Sequence, residues 1–457
     1  MAKNSNKKVR RSRNVAKAAK MREGLAKEKR RDTYDETLRQ ERKVRSNFFS
    51  ILRDACYHPD RYYSGEDYRG TSVVRIAGVI RDKKLGLDEK AALSKLIEVC
   101  KRSKMIDRDC TDFVIGLINL AKWHWMWNKN PELWHPTSKN AAKQFASLIR
   151  HTLCIYDVPD FMTKVWYGQS SDDVLYQEWF VNLGRGENIR KQSKLPFPLT
   201  KKMAHNFLKA RASFSIAEAL RWGQMRGMGA DKRTAVAILA TPLGQGCNNV
   251  YNEFWESVIR FFINNPMLDT YQYGPIYDYI VDQKIRDRGH LFVDGQLVHQ
   301  GPPQPNFSMH RRDPNTLVRQ VEEWHRNMRR NYMSNSSRRI TRWESCGIPG
   351  FVKKGKEEAV VISEITSSSE LYLEGEKMLH CVGSYVSSCA DKRCAIYSLR
   401  RVDINSVYRE ATLEVNLAQG TITQARKKCN QPLTTSDWSY IRPWANKINL
   451  KISTWLQ

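Results

Sequence analysis

The chain has no apolar run approaching the ~18 residues that a membrane span needs, and its basic N-terminus has no apolar core of the kind a secretory signal carries. Walker, HExxH, GxSxG and dinucleotide fingerprints are all missing, which removes support for an ATP-driven motor or a zinc protease. The 10 cysteines are scattered, with neither a dense framework nor a close CxxC knuckle. That usage fits reduced thiols in a cytoplasm and disfavours zinc. No repeat period is present, so a solenoid has no support. Acid is also in short supply: 48 Asp and Glu stand against 76 Lys and Arg, a formal net charge of +28. Such an excess speaks to partners and not to fold, and it favours a polyanion, usually nucleic acid.

At 457 residues the chain is expected to hold two or three domains. Residues 1–46 read as a basic arm, disordered alone or helical on binding. Its first 31 residues carry 13 Lys and Arg, Lys7, Lys8, Arg10, Arg11 and Arg13 among them, against Glu23 and Glu28. Residues 47–287 read as an all-helical domain. Asp88, Thr137 or Ser138, Thr200 and Asp231 serve as predicted caps, and KWHWMW (122–127) is apolar enough to predict burial all round. Residues 288–345 combine a hairpin at Asp294-Gly295, a Pro-rich linker and an Arg-rich helix capped by Asn315, with Ser334–Ser337 as a flexible joint. That helix carries Arg319, Arg326, Arg329 and Arg330, with Arg338 and Arg339 just beyond. Guanidinium forks suit phosphate, so this is a second predicted nucleic-acid surface. The fold class is therefore a mainly α N-terminal scaffold plus a smaller C-terminal α+β domain (346–457) with a short, mostly antiparallel sheet.

The densest stretch is Lys377–Arg400, KMLHCVGSYVSSCADKRCAIYSLR, followed by ATLEVN (411–416) and TITQAR (421–426). Strand alternation places Ala395, Tyr397 and Leu399 on one face and Ile396, Ser398 and Arg400 on the other. It likewise sets Thr412 and Glu414 opposite Leu413 and Val415, and puts Gln424 and Arg426 with Ile422. Aligned polar faces would make one patch of Ser398, Arg400, Thr412, Glu414, Gln424 and Arg426, with His380 and Tyr385 above it and Asn430 in the next turn. A carboxylate, an imidazole and guanidinium groups on one face suit either binding or hydrolysis of a phosphodiester. For hydrolysis, His380 and Glu414 are the acid/base candidates, with Tyr385 nearby, Arg400 and Arg426 stabilising charge, and Mg2+ or Mn2+ as the cofactor to expect. Two other readings compete. Cys381 as nucleophile lacks a well-placed base, because its chain neighbour His380 points away. A zinc site from His380, Cys381, Cys389, Cys394 and Cys429 lacks the usual ligand spacing. Otherwise the cysteines are small core residues.

The run MLHCVGSY…IYSLR…ATLEV…ITQAR…N resembles the signature of PcfJ-like proteins, which are encoded on conjugative plasmids, phages and other bacterial mobile elements. The matching positions are His380 to Tyr385, Leu399, Arg400, Thr412, Glu414, Gln424, Arg426 and Asn430. Two glycines of the pattern are replaced, one around Lys392-Arg393 and one by Lys427. The resemblance is specific over about residues 360–432 and looser over 200–285. It implies a role in DNA transfer or nucleic-acid processing, alone or with protein partners in a DNA-processing complex. The resulting expectation is a cytoplasmic nucleic-acid-binding protein. A phosphodiester-hydrolysing nuclease and a scaffold for acidic protein partners are the alternatives.

Overall fold

The computed structural model describes residues 38–106, 110–247, 249–287, 289–293, 296–336, 340–355, 358–404 and 406–453. They divide into two compact units, at 192/193.

The first unit is helical: α1 (38–45), α2 (Phe48–Tyr57), α3 (Pro59–Tyr63), α4 (Ser72–Asp82), α5 (Leu87–Cys100), α6 (Thr111–Lys122), α7 (Ala141–Leu153) and α8 (Ser171–Gly184). Periodic apolar residues close its core, with Leu93, Leu96, Leu117, Phe145, Leu148 and Trp179 fully buried. Two starts differ from the sequence reading. Helix α5 begins at Leu87, where Glu89 Oε2 accepts from the Gly86 N–H, and α7 begins after Asn140, whose side chain accepts from the Lys143 N–H. The aromatic run KWHWMW is not buried all round. Helix α6 stops at Lys122 and the chain turns through His124–Met126, so Trp125 stacks on Trp123 while remaining 67% exposed.

The second unit opens with α9 (Lys201–Leu208), α10 (Ile216–Met228), α11 (Lys232–Leu239), α12 (Pro242–Gln245), α13 (Asn252–Asn264) and α14 (Tyr273–Ile280). Thr200 and Asp231 cap α9 and α11 as predicted. A hairpin of β1 (Gly289–Val293) and β2 (Gln296–Gln300) follows, its tip at 294–295 lying outside the described residues. Then comes α15 (Pro314–Ser336). Asp313, not Asn315, accepts from the Thr316 N–H at its start. The expected joint at Ser334 is instead helical through Ser336, since Ser and Asn lower helix propensity only slightly and no Gly or Pro intervenes. Leu317 and Val321 anchor α15 in the core made by α10, α11, α13 and α14.

The sheet runs β3 (Phe351–Lys354), β4 (Ala359–Ile365), β5 (Cys394–Val402), β6 (Val407–Asn416), β7 (Thr421–Arg426) and β8 (Lys451–Ile452) in that spatial order. All neighbours are antiparallel except β7 and β8. Helices α16 (Ser368–Met378) and α17 (Val386–Ala390) lie between β4 and β5, and α18 (Thr435–Lys447) between β7 and β8. One sheet face is apolar: Ala395, Tyr397, Leu399, Leu413 and Val415 pack under Ile441 and Trp444 of α18. Ile422 belongs to this apolar face and not with Gln424 and Arg426. The register shifts between Glu414 and Val415, so Glu414 pairs with Gln424 while Val415 pairs with Ile422, and Thr423 is the extra residue of a bulge. No described helix is long and apolar enough to cross a membrane.

Candidate functional site

The second sheet face is polar at its centre, and cross-strand pairing assembles it. Ser398 pairs with Thr412, Thr412 with Arg426, and Glu414 with Gln424. The segment above it is set by the end of α16. Leu379 takes a left-handed conformation (φ 51°) and the His380 N–H bonds back to the Gly375 carbonyl at 3.2 Å, which reverses the chain. A short 3-10 turn, Cys381–Tyr385, then lays His380 and Tyr385 over the sheet.

His380 is buried, with Nε2 3.0 Å from Thr412 Oγ1. The Thr412 hydroxyl donates to Glu374 Oε1 at 2.8 Å. Glu374 is fully buried, and its other oxygen accepts from Arg409 Nε at 2.8 Å, with Arg400 at 3.9 Å. Both Glu374 oxygens thus act as acceptors in these bonds. Thr412 therefore spends its one proton on Glu374, and His380 must be the donor in the remaining bond. The chain His380 → Thr412 → Glu374 thus fixes the imidazole as the Nε2–H tautomer and leaves Nδ1 as the basic nitrogen. Burial pushes the His380 pKa down to about 4, so the ring is neutral at neutral pH.

Beside this relay, Tyr385 Oη donates to Glu414 Oε2 and Gln424 Nε2 donates to Tyr385 Oη, both at 3.3 Å. Burial raises the Glu414 pKa. Arg400 Nε donates to the buried Ser398 Oγ at 3.0 Å, so it lies beside Glu374 rather than Glu414. Arg426 donates to the Ala240 carbonyl at 2.9 Å, and burial brings its pKa down to about 10 despite the nearby Asp278 and Glu218. Asn430, itself left-handed at φ 57°, donates to Asp278 Oδ2 of α14 at 2.8 Å. The 240 and 278 regions thus roof the polar sheet face. What remains is a chamber of about 60 Å³ between Asp278, His380, Glu414 and Arg426. That is room for a few water molecules and well short of a phosphodiester.

His380 also lines a second, larger cavity. A cleft of about 460 Å³ lies between α14, α15, α16 and the 379–383 turn, lined by Tyr271, His325, Arg326, Tyr372, Glu322 and Glu376 among others. The Tyr372 ring lies where a side chain at 383 would stand, since a Cβ on Gly383 would come within 2.7 Å of it. Burial pushes the His325 pKa down to about 4, and no group among the described residues hydrogen-bonds its buried Nε2. His380 therefore lies between a small polar chamber and a larger cleft.

The sequence-predicted residues divide accordingly. His380, Tyr385, Thr412, Glu414, Gln424, Arg426 and Asn430 line the chamber, while Ser398 and Arg400 sit at its Glu374 end. Arg326 is exposed and lines the cleft; Arg319, exposed on α15, donates to Thr316. Arg329 and Arg330 lie on the backbone of α15. Lys7, Lys8, Arg10, Arg11, Arg13, Arg338 and Arg339 lie outside the described residues, as does the Cys381 side chain. Cys389 and Cys394 are buried, unbridged members of a small apolar cluster. Sequence reasoning missed Glu374, Arg409, Asp278 and His325. Glu374 carries a usable signal, a carboxylate among the core-facing positions of an amphipathic helix; Asp278, 152 residues from its partner, carries none.

No curated protein and no solved structure gives a significant match to the chain. A family model described as PcfJ-like protein matches residues 306–439. The matched span holds the His380–Thr412–Glu374 relay, both cleft histidines and strands β4 to β7, and leaves out Tyr271 and Asp278. Over residues 306–439 the chain thus matches the PcfJ-like family model, and the likeness is confined to that span.

Proposed function

We propose that this protein binds nucleic acid, as an accessory of DNA transfer or processing on a bacterial mobile element. The observation that carries the reading is the charge: were every carboxylate in the chain paired, 28 cationic side chains would still have no acidic counterpart. Within the second unit, carboxylates such as Glu374, Glu410 and Asp437 are held by internal cations. Arg319 and Arg326, by contrast, point their charge outwards from α15. Phosphates met by such side chains release condensed counterions, which makes binding tight at low salt and steeply salt-dependent. The mobile-element context is what the resemblance of the His380–Asn430 motifs implies, and protein partners in a DNA-processing complex belong to the same reading.

A second reading, phosphodiester hydrolysis, is favoured by one observation. The relay through Thr412 holds His380 as a neutral imidazole with an unprotonated ring nitrogen at neutral pH, which a general base requires, although burial makes it a weak base. The ion such a nuclease would draw on is Mg2+ or Mn2+. Purified full-length protein, titrated with labelled single-stranded DNA, duplex DNA and RNA over a salt series with and without these ions, tests both readings. Salt-steep binding without cleavage is the expected result. Cleavage abolished by both His380→Ala and Glu414→Ala would move the protein to the nuclease class. Weak affinity for all three nucleic acids at low salt would sink the binding reading and favour a scaffold for acidic proteins.

A further inference from the structure

We infer that the 460 Å³ cleft beside His380 receives one unpaired base of a nucleic-acid strand, with the strand's phosphate held outside by Arg326. This rests on the nucleic-acid reading above and names the part of the ligand that the site takes. Size is the first argument: the cavity falls within the range of small-ligand pockets and is far larger than the small chamber behind it. Chemistry is the second. Tyr271 and Tyr372 give the cleft two aromatic rings, and aromatic faces hold bases by stacking. His325 adds a third flat ring to the cleft lining, on which a base can also lie.

Charge gives the orientation. Glu376, half-buried, stands in the cleft wall, where it accepts from ring or exocyclic N–H groups and repels a phosphate, while Glu322 is exposed at the mouth. Arg326 also lines the cleft but is exposed to solvent, where a strand's backbone would run. A base inside and a phosphate outside is the arrangement these charges select. Paired bases cannot enter, because their edges and faces are occupied in the duplex. The site is therefore selective for single strands, loops or ends.

The test uses the full-length protein and short strands carrying a photoreactive thiobase, with cross-linked peptides mapped by mass spectrometry. Cross-links at Tyr271, His325 or Tyr372 are expected; cross-links confined to residues outside the cleft would overturn the inference. This arm needs no variant to fold. In a second arm, single strands are expected to bind about tenfold tighter than duplex of equal length at moderate salt. Tyr372→Ala and His325→Ala each weaken the single strand by about tenfold, the worth of one stack, and leave the duplex unchanged. Equal affinity for both forms, untouched by either variant, overturns the base site but leaves nucleic-acid binding standing. Failure to bind any nucleic acid at low salt overturns both. Displacement of the strand by micromolar free guanosine monophosphate would overturn the strand in favour of a free nucleotide.

Discussion

Thr412 is the residue on which the polar face turns, because it accepts from His380 and donates to Glu374 at once. Thr412→Val keeps the shape and removes both bonds, leaving an imidazole N–H and a buried carboxylate oxygen unsatisfied. The expected loss is about 1–3 kcal/mol of unfolding free energy by chemical denaturation, with Thr412→Ser recovering most of it. Equal stability of the valine and threonine proteins would show that the relay contributes nothing. The histidines predict a pH dependence. His325 and His380 titrate at about 4 when folded and near ~6.5 when unfolded. Their folded values are depressed, so their contribution is fully present above the unfolded pKa and is lost as pH falls towards 4. Across that window each lowers stability by up to about 1.4 kcal/mol per pH unit. Glu414 works the other way. Its raised pKa favours the folded state when protonated, so its contribution is present at low pH and fades as pH rises through the folded value. Replacing His380 by Gln should flatten the fall of stability between about pH 6.5 and 4; an unchanged slope would show that the ring is not held neutral.

The elements show why part of the site was legible and part was not. The alternation of β5 and β6 sorted Ser398, Thr412 and Glu414 onto one face because nothing interrupts the two-residue period there. The same rule misplaced Ile422, because the bulge at Thr423 shifts the phase by one and leaves no composition signal. Strands β3 and β8 are too short to carry a period at all. Nor could local pattern show that α14 would roof the polar face, since that depends on a close approach between segments about 150 residues apart. Gly274 permits that approach. A Cβ there would stand 2.6 Å from the Cys429 carbonyl oxygen and 3.1 Å from Asn430 Cβ. Gly274→Ala should therefore push α14 from the turn that presents Asn430 to Asp278, lowering stability by about 1–3 kcal/mol. Gly301→Ala, where an added Cβ meets nothing within 4 Å, serves as the control. Equal melting temperatures for the two variants would refute the close-approach account.

At the scale of the whole molecule charge outweighs every other feature, and it is concentrated in at least two places along the sequence. Residues 1–31 concentrate 13 cations in a short segment, whereas α15 presents Arg319 and Arg326 from a helix anchored by Leu317 and Val321. Counterion release counts phosphates neutralised and is indifferent to sequence, so the two contributions are separable by their salt slopes. Removing residues 1–31 should flatten the plot of log affinity against log salt by several units while leaving any preference for single strands intact. Arg319→Gln with Arg326→Gln should flatten it, on duplex DNA, by about 0.9 for each phosphate that is no longer neutralised. On a single strand it should also weaken the preference itself, because Arg326 stands beside the cleft. The two perturbations thus predict opposite patterns, one moving the slope alone and the other moving slope and selectivity together. If truncating the arm removed the single-strand preference while the arginine pair left it untouched, base recognition would belong to the arm and the cleft beside His380 would have another use.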